Sequence, residues 1–138
     1  KLLLTLILIV VLSSCSLFKT DVIPEDQRLT VIVKNELKKY KGKYKVNVYD
    51  CSNMSYDMCN NLNRQGILTE LYAYRLGHIG HAIVKITYRG KTYYSDPARQ
   101  WTFINKPKGT VVYSGSASEI PNSLLWEFTG HTKTFNFK

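Results

Sequence analysis

Ala82-Ile83-Val84-Lys85-Ile86-Thr87-Tyr88-Arg89-Gly90-Lys91-Thr92-Tyr93-Tyr94-Ser95-Asp96 reads as two strands around a short turn. Ala82, Val84, Ile86 and Tyr88 fall on alternate positions, the period of a strand with one face buried. Arg89-Gly90-Lys91 is the hairpin signal that sends residues 92–96 back along them. Loop length decides which side chains meet. With Arg89 and Gly90 as a two-residue loop, Ile83 lies opposite Asp96, and His81 is its diagonal neighbour on the same face. A three-residue loop without a bulge flips that parity and separates the imidazole from the carboxylate.

Upstream, residues 67–76 carry Leu68, Glu70, Tyr72 and Tyr74 on one parity, a further strand, and Gly77-His78-Ile79-Gly80 turns it into the hairpin. Before that, Asp50 is a good N-cap and places Cys51 in the first turn of a helix. Met54, Met58 and Leu62 recur at helical spacing, Cys51, Ser55 and Cys59 line an adjoining stripe, and Gly66 stops the helix. Most of this face reads as ordinary core. An earlier helix opens at Pro24-Glu25-Asp26, carries Leu29, Ile32, Val33, Leu37 and Tyr40 on one side, and stops at Gly42. Tyr44, Val46 and Val48 alternate in a short extended segment. Downstream, residues 109–113 and 124–128 read as strands, with 114–118 a loop, and residues 132–137 alternate weakly. There are no internal repeats, and residues 24–138 form one domain.

The first residues are read differently. Lys1 precedes an apolar run over 2–12, broken by Thr5, and Leu12-Ser13-Ser14-Cys15 follows. A basic start, a short apolar core and small residues before a cleavage point describe a secretory signal. The run is well short of the roughly 20 apolar residues that span a bilayer. Small residues before cysteine resemble the bacterial lipobox, which implies a signal peptide over 1–14, lipidation of Cys15, and residues 15–23 as a tether outside the cytoplasm. The chain does not begin with methionine, so residues upstream are expected. With 19 basic and 10 acidic side chains the formal net charge is +9, which favours anionic surroundings such as headgroups or acidic wall polymer. No aromatic-basic RNA motif appears, and nucleic acid is not the expected partner. The run Lys38, Lys39, Lys41, Lys43 and Lys45 is a solvated face.

If Cys15 carries lipid, Cys51 and Cys59 remain in a compartment that oxidises thiols. Eight residues along one helix separate their Cα atoms by about 12 Å, and a disulfide needs less than about 7 Å. Both are therefore expected to be free thiols unless they pair between molecules.

Cys51 at a helix start, His81 opening a strand and Asp96 closing its partner are, in that order, the parts of a Cys-His-Asp nucleophile system. A helix N-terminus and a nearby imidazolium favour the thiolate. His81 is then the general base and acid, Asp96 the group that orients it, and the Cys51 N–H one oxyanion donor. Asn47 and Tyr44 are candidates for the second donor. Each residue alone has a plainer reading: a core cysteine, a structural histidine, an Asp-Pro turn. His78 is a rival base, but it sits in the turn. Tyr93, Tyr94 and Trp101 are either cleft walls or aromatic core, and His131 reads as surface. No His/Cys/Asp cluster has metal-ligand spacing, and no cofactor is expected.

Tyr49-Asp50-Cys51 with Ser55, then Gly66-Ile67, Gly80-His81-Ala82-Ile83-Val84 and Tyr94-Ser95-Asp96-Pro97 resemble the transglutaminase-like cysteine peptidase superfamily. The match covers residues 49–97. Ile83 stands where an aromatic often follows His-Ala, and the interval from cysteine to histidine is short. The resemblance implies an α+β, papain-like fold with the catalytic helix packed on an antiparallel sheet, and Cys51, His81 and Asp96 as nucleophile, base and orienting acid. It implies amide or peptide cleavage, or acyl transfer, through a Cys51 thioester, with cell-wall peptide or a surface protein as the substrate class for an exported chain. Asp50-Cys51-Ser52 also resembles the NlpC/P60 cell-wall peptidases, although the Gly-Asp pair before the histidine strand and the second histidine of that class are not evident. A non-enzymatic surface lipoprotein that binds an envelope partner is the alternative from another class, and an envelope protein bridged between molecules through its thiols is a third.

Overall fold

The computed structural model describes residues 26–46 and 48–121. Pro24, Cys15 and the signal-like run, Asn47, the strand expected over 124–128, the alternation over 132–137, and His131 lie outside the described residues. Among the described residues no helix is long and apolar enough to cross a membrane.

The order of elements is α1 (Gln27–Lys38), α2 (Cys51–Arg64), β1 (Leu68–Leu76), β2 (Ile79–Tyr88), β3 (Lys91–Asp96), β4 (Trp101–Ile104) and β5 (Thr110–Gly115), closed by a 3-10 turn at Ala117–Glu119. The class is α+β: two helices and one antiparallel five-stranded sheet in the order β4-β3-β2-β1-β5. Asp26 caps α1, its side chain accepting from the Arg28 N–H at 2.8 Å. The helix thus begins after Asp26 rather than at the proline, because that carboxylate takes up a first-turn donor.

The second helix has strong punctuation at both ends. Asp50 and Asn53 form a reciprocal capping box, which satisfies two backbone donors that a helix start leaves open. At the other end Gly66 takes a positive φ of 78°. Its N–H donates to Asn63, and that of Ile67 to Leu62, at 2.9 and 3.1 Å. That is a Schellman stop, with Ile67 and Leu62 both buried in the core beside it.

Met54, Met58 and Leu62 pack with Leu71, Ala73, Ala82, Val84 and Ile86 between helix and sheet, joined by Leu29, Val33 and Leu37 of α1. Burying one such side chain contributes about 1.5–3 kcal/mol. Polar ties set the helix's position along the sheet. The Ser55 hydroxyl donates to the Ala82 carbonyl at 3.0 Å, and the Thr69 hydroxyl to the Cys59 carbonyl at 3.0 Å. Between the helices, buried Glu36 accepts from the Tyr40 hydroxyl at 2.8 Å and the Asn61 amide at 2.7 Å. Burial opposes the Glu36 charge, but these donors and Lys39 outweigh it and hold its carboxyl below the ordinary value.

The hairpin has the two-residue loop. Tyr88 pairs with Lys91 and Val84 with Ser95, and Arg89 and Gly90 take φ of 50° and 75°, the mirror-image turn whose twist matches that of the strands. The turn before it is shorter than the sequence suggests. Only Gly77 and His78 are loop residues, because Leu76 pairs with Ile79. Two features were not read from sequence. One is β4, four residues on the far edge of β3. The other is the placement of β5, which crosses to the opposite edge and pairs with β1 through an irregularity at Ala73 and Tyr74. Gly109 makes that crossing possible: a Cβ there would sit 2.7 Å from the Arg75 carbonyl oxygen and 3.1 Å from the Tyr74 ring.

Candidate active site

The hairpin register decides the site. Because Val84 faces Ser95, His81 and Asp96 share the sheet face away from the core and stand diagonal to one another. His81 Nε2 lies 2.6 Å from Asp96 Oδ2. Asp96 is fully buried and the His81 side chain is only 13% exposed, so water does not screen the contact. The other carboxylate oxygen, Oδ1, accepts from the Arg99 backbone N–H at 3.1 Å, which fixes the orientation of Asp96 from both sides.

Cys51 is the first residue of α2 and is buried. Its thiol is close enough to the same imidazole to influence the charge of the ring, and with Nε2 committed to Asp96 the ring nitrogen free for sulfur is Nδ1. Burial works against a charged ring. The hydrogen bond to the Asp96 carboxylate and its charge, with a further contribution from Cys51, outweigh it and push the His81 pKa up to about 9. At neutral pH the ring is therefore an imidazolium, with a proton on each nitrogen to give. The helix cap consumes the Ser52 and Asn53 N–H groups on the Asp50 side chain, and the first helical bond runs from Met54 to Asp50. The Cys51 N–H is left over by the cap, at the helix end that favours anions.

Two neighbours complete the cluster. Tyr74 stands opposite His81 across the β1–β2 ladder and meets its ring edge-on, centroids 5.8 Å apart at 84°. Burial first, then the charge of Asp96, raises the pKa of Tyr74 and keeps it a neutral phenol. Tyr44 sits where burial and the electrostatic influence of Cys51 and Asp50 raise its own hydroxyl, so it lies on the Cys51 side of the site. Alternation in β1 shows that Tyr72 and Tyr74 share a face, but no sequence signal singles out the ring that packs on the histidine.

The remaining candidates separate cleanly. Cys51 and Cys59 are both free thiols. Cys59 is wholly buried, and desolvation pushes its thiol up to about 12 against the help of a Thr69 hydrogen bond. His78 is exposed in the β1–β2 turn. Tyr93 is core, packed on Phe103 at 5.5 Å. Tyr94 is buried on the outer face against Tyr72 and Ile83, whereas Trp101 is 45% exposed. Among the described residues no group of three or more His, Cys, Asp or Glu is placed to hold a metal ion.

No family model, curated protein or solved structure matches the chain. What can be said of its chemistry rests on this cluster.

Proposed function

We propose that the protein is an exported, lipid-anchored cysteine hydrolase of transglutaminase-like type that cleaves or transfers an amide-bound acyl group. The observation that carries the reading is the arrangement at His81, with a buried carboxylate 2.6 Å from one ring nitrogen and a thiol at a helix start near enough to influence the charge of the ring. In the first step Cys51 Sγ attacks the amide carbonyl carbon. The carbonyl oxygen becomes an oxyanion, taken by the Cys51 N–H and, as second donor, the Tyr44 hydroxyl. As the intermediate collapses the C–N bond breaks, and the His81 imidazolium gives its proton to the leaving amine. The thioester is then attacked by water, which His81, now neutral, deprotonates. A C–O bond forms, the C–S bond breaks, and the acid leaves. An amine in place of water completes acyl transfer.

Exposed apolar residues flank each part of the site: Val46 and Val48 ahead of Cys51, Leu76 and Ile79 ahead of His81, and Trp101 after Asp96. Such a rim favours a peptide or protein substrate over a small polar amide. Cell-wall peptide or a surface protein fits an anchored chain, with Cys15 as the lipid-bearing residue.

The test is alkylation of the full chain by iodoacetamide at pH 7, with each cysteine followed by peptide mass spectrometry. Cys51 is expected to react at least about tenfold faster than Cys59, and His81→Ala to abolish the difference. Equal rates at the two cysteines, or a Cys51 rate indifferent to His81→Ala, would remove the enzyme reading.

A further inference from the structure

We propose that Arg99 and Trp101 form an anion-reading subsite beside Cys51, His81 and Asp96, selecting amides that carry a carboxylate next to the scissile bond. The inference rests on the enzyme reading above and names its substrate class.

The turn that bears these residues is built onto Asp96. Arg99 gives its backbone N–H to Asp96 Oδ1 at 3.1 Å. Trp101 pairs with Asp96 across β3 and β4, and its carbonyl accepts the Ser95 hydroxyl at 3.0 Å. Between them Gln100 takes φ of 60°, a region that side chains other than glycine rarely adopt. Its amide donates to the Pro97 carbonyl at 2.7 Å, closing the turn on itself. The backbone is thus committed to one shape, and that shape determines where Arg99 goes.

The guanidinium carbon of Arg99 lies over the Trp101 ring, 5.0 Å from its centroid. Its Nε is 3.8 Å from Asp96 Oδ2, the same oxygen that His81 holds at 2.6 Å. A separation of 3.8 Å is outside hydrogen-bonding range, and Asp96 already has a donor on each oxygen. Arg99 is therefore not needed to satisfy Asp96. Among the described residues its guanidinium makes no hydrogen bond, and its side chain is 53% exposed. One face is stacked on tryptophan, which reduces the side-chain entropy lost when a ligand is held. Its donor edge is unfilled among the described residues, and such a fork matches a carboxylate with two parallel hydrogen bonds. The other groups near this spot are the Tyr74 phenol, the His81 imidazolium and the Asp96 carboxylate: the first is neutral, the second attracts an anion, and the third repels one but has a donor on each oxygen.

Iodoacetate and iodoacetamide test the subsite without a known substrate, since they differ chiefly in a carboxylate against an amide. Their rates at Cys51 are compared in the full chain for the wild type, Arg99→Gln, Arg99→Lys and Trp101→Ala. Arg99→Gln should slow iodoacetate by about fivefold or more while iodoacetamide stays within about twofold, the size expected when one positive charge is removed from a half-buried site. Arg99→Lys should retain part of the preference as a point charge, and Trp101→Ala should lose part of it. An unchanged ratio in Arg99→Gln overturns the subsite. So does an equal slowing of both reagents, which would make Arg99 a residue that positions Asp96. If Cys51 outpaces Cys59 with neither reagent, the enzyme reading fails first and takes the subsite with it.

Discussion

Cys51 and Cys59 are two turns apart on one helix, both buried and both free, yet only one is in a position to react. At Cys59 apolar packing surrounds the sulfur, burial pushes its thiol up to about 12, and a Thr69 hydrogen bond offsets little of that. At Cys51 burial is similar, but an imidazole held by a buried carboxylate is close enough for each to influence the other's charge. The difference lies in the partners that the sheet delivers. Both thiols belong to the helix–sheet core, but only Cys51, at the helix start, is near enough to His81 to influence its charge.

The largest expected effect removes that partner's own support. In Asp96→Asn the His81 ring loses the charge that holds it protonated, and its pKa should fall from about 9 back toward the ordinary 6.5. Cys51 alkylation at pH 7 should drop by roughly tenfold or more toward the Cys59 rate. Ring-proton NMR titration reads the first change and mass spectrometry the second. If His81 still titrated near 9, Asp96 would not be what distinguishes the two thiols.

The same shift ties stability to pH. A folded pKa of about 9 against 6.5 in the unfolded chain means that the contribution is fully present below pH 6.5 and disappears as pH rises through 9. Between pH 6 and pH 10 the wild type should lose up to about 3 kcal/mol more than His81→Gln, by urea unfolding. Parallel curves for the two proteins would show that the His81–Asp96 pair is not charged in the folded state.

A smaller effect is expected at the joint between helix and strand. Ser55 lies one turn beyond Cys51, and its bond to the Ala82 carbonyl sits one residue from His81. Ser55→Ala should cost about 1 kcal/mol in unfolding free energy and slow Cys51 alkylation while leaving Cys59 as inert as before. A loss of stability without any change at Cys51 would make that bond purely structural.

Much of this was legible because the informative residues are local. Arg89-Gly90 states its turn type, and the turn fixes the register that pairs His81 with Asp96. Asp50 and Gly66 bound the helix by capping chemistry that needs no tertiary context. The opening of α1 is read at Pro24-Glu25-Asp26, and within that stretch Asp26 is the cap, so the first helical residue is Gln27. β4 escaped notice because four residues, Trp-Thr-Phe-Ile, are too few to establish a period. β5 was found, but not its place at the β1 edge, since nothing local says which edge a strand joins. The ring of Tyr74 on His81 and the stack of Arg99 on Trp101 are contacts across the fold, invisible to spacing.

The last expectation inverts the comparison. Cys59→Ala leaves a small cavity among Met58, Leu62 and their neighbours in the helix–sheet core, and it should cost about 1–2 kcal/mol of stability. It should leave the Cys51 alkylation rate within about twofold, because the ties that aim α2 at His81 run through Ser55 and the Asp50 cap rather than through the Cys59 thiol. Cys51→Ala should do the opposite, removing reactivity while lowering the His81 pKa, since one of the influences that raise it is gone. The pair separates packing from chemistry on a single helix. If Cys59→Ala slowed Cys51 by tenfold, the position of the nucleophile would depend on core packing two turns away, and the helix rather than the hairpin register would set the geometry of the site.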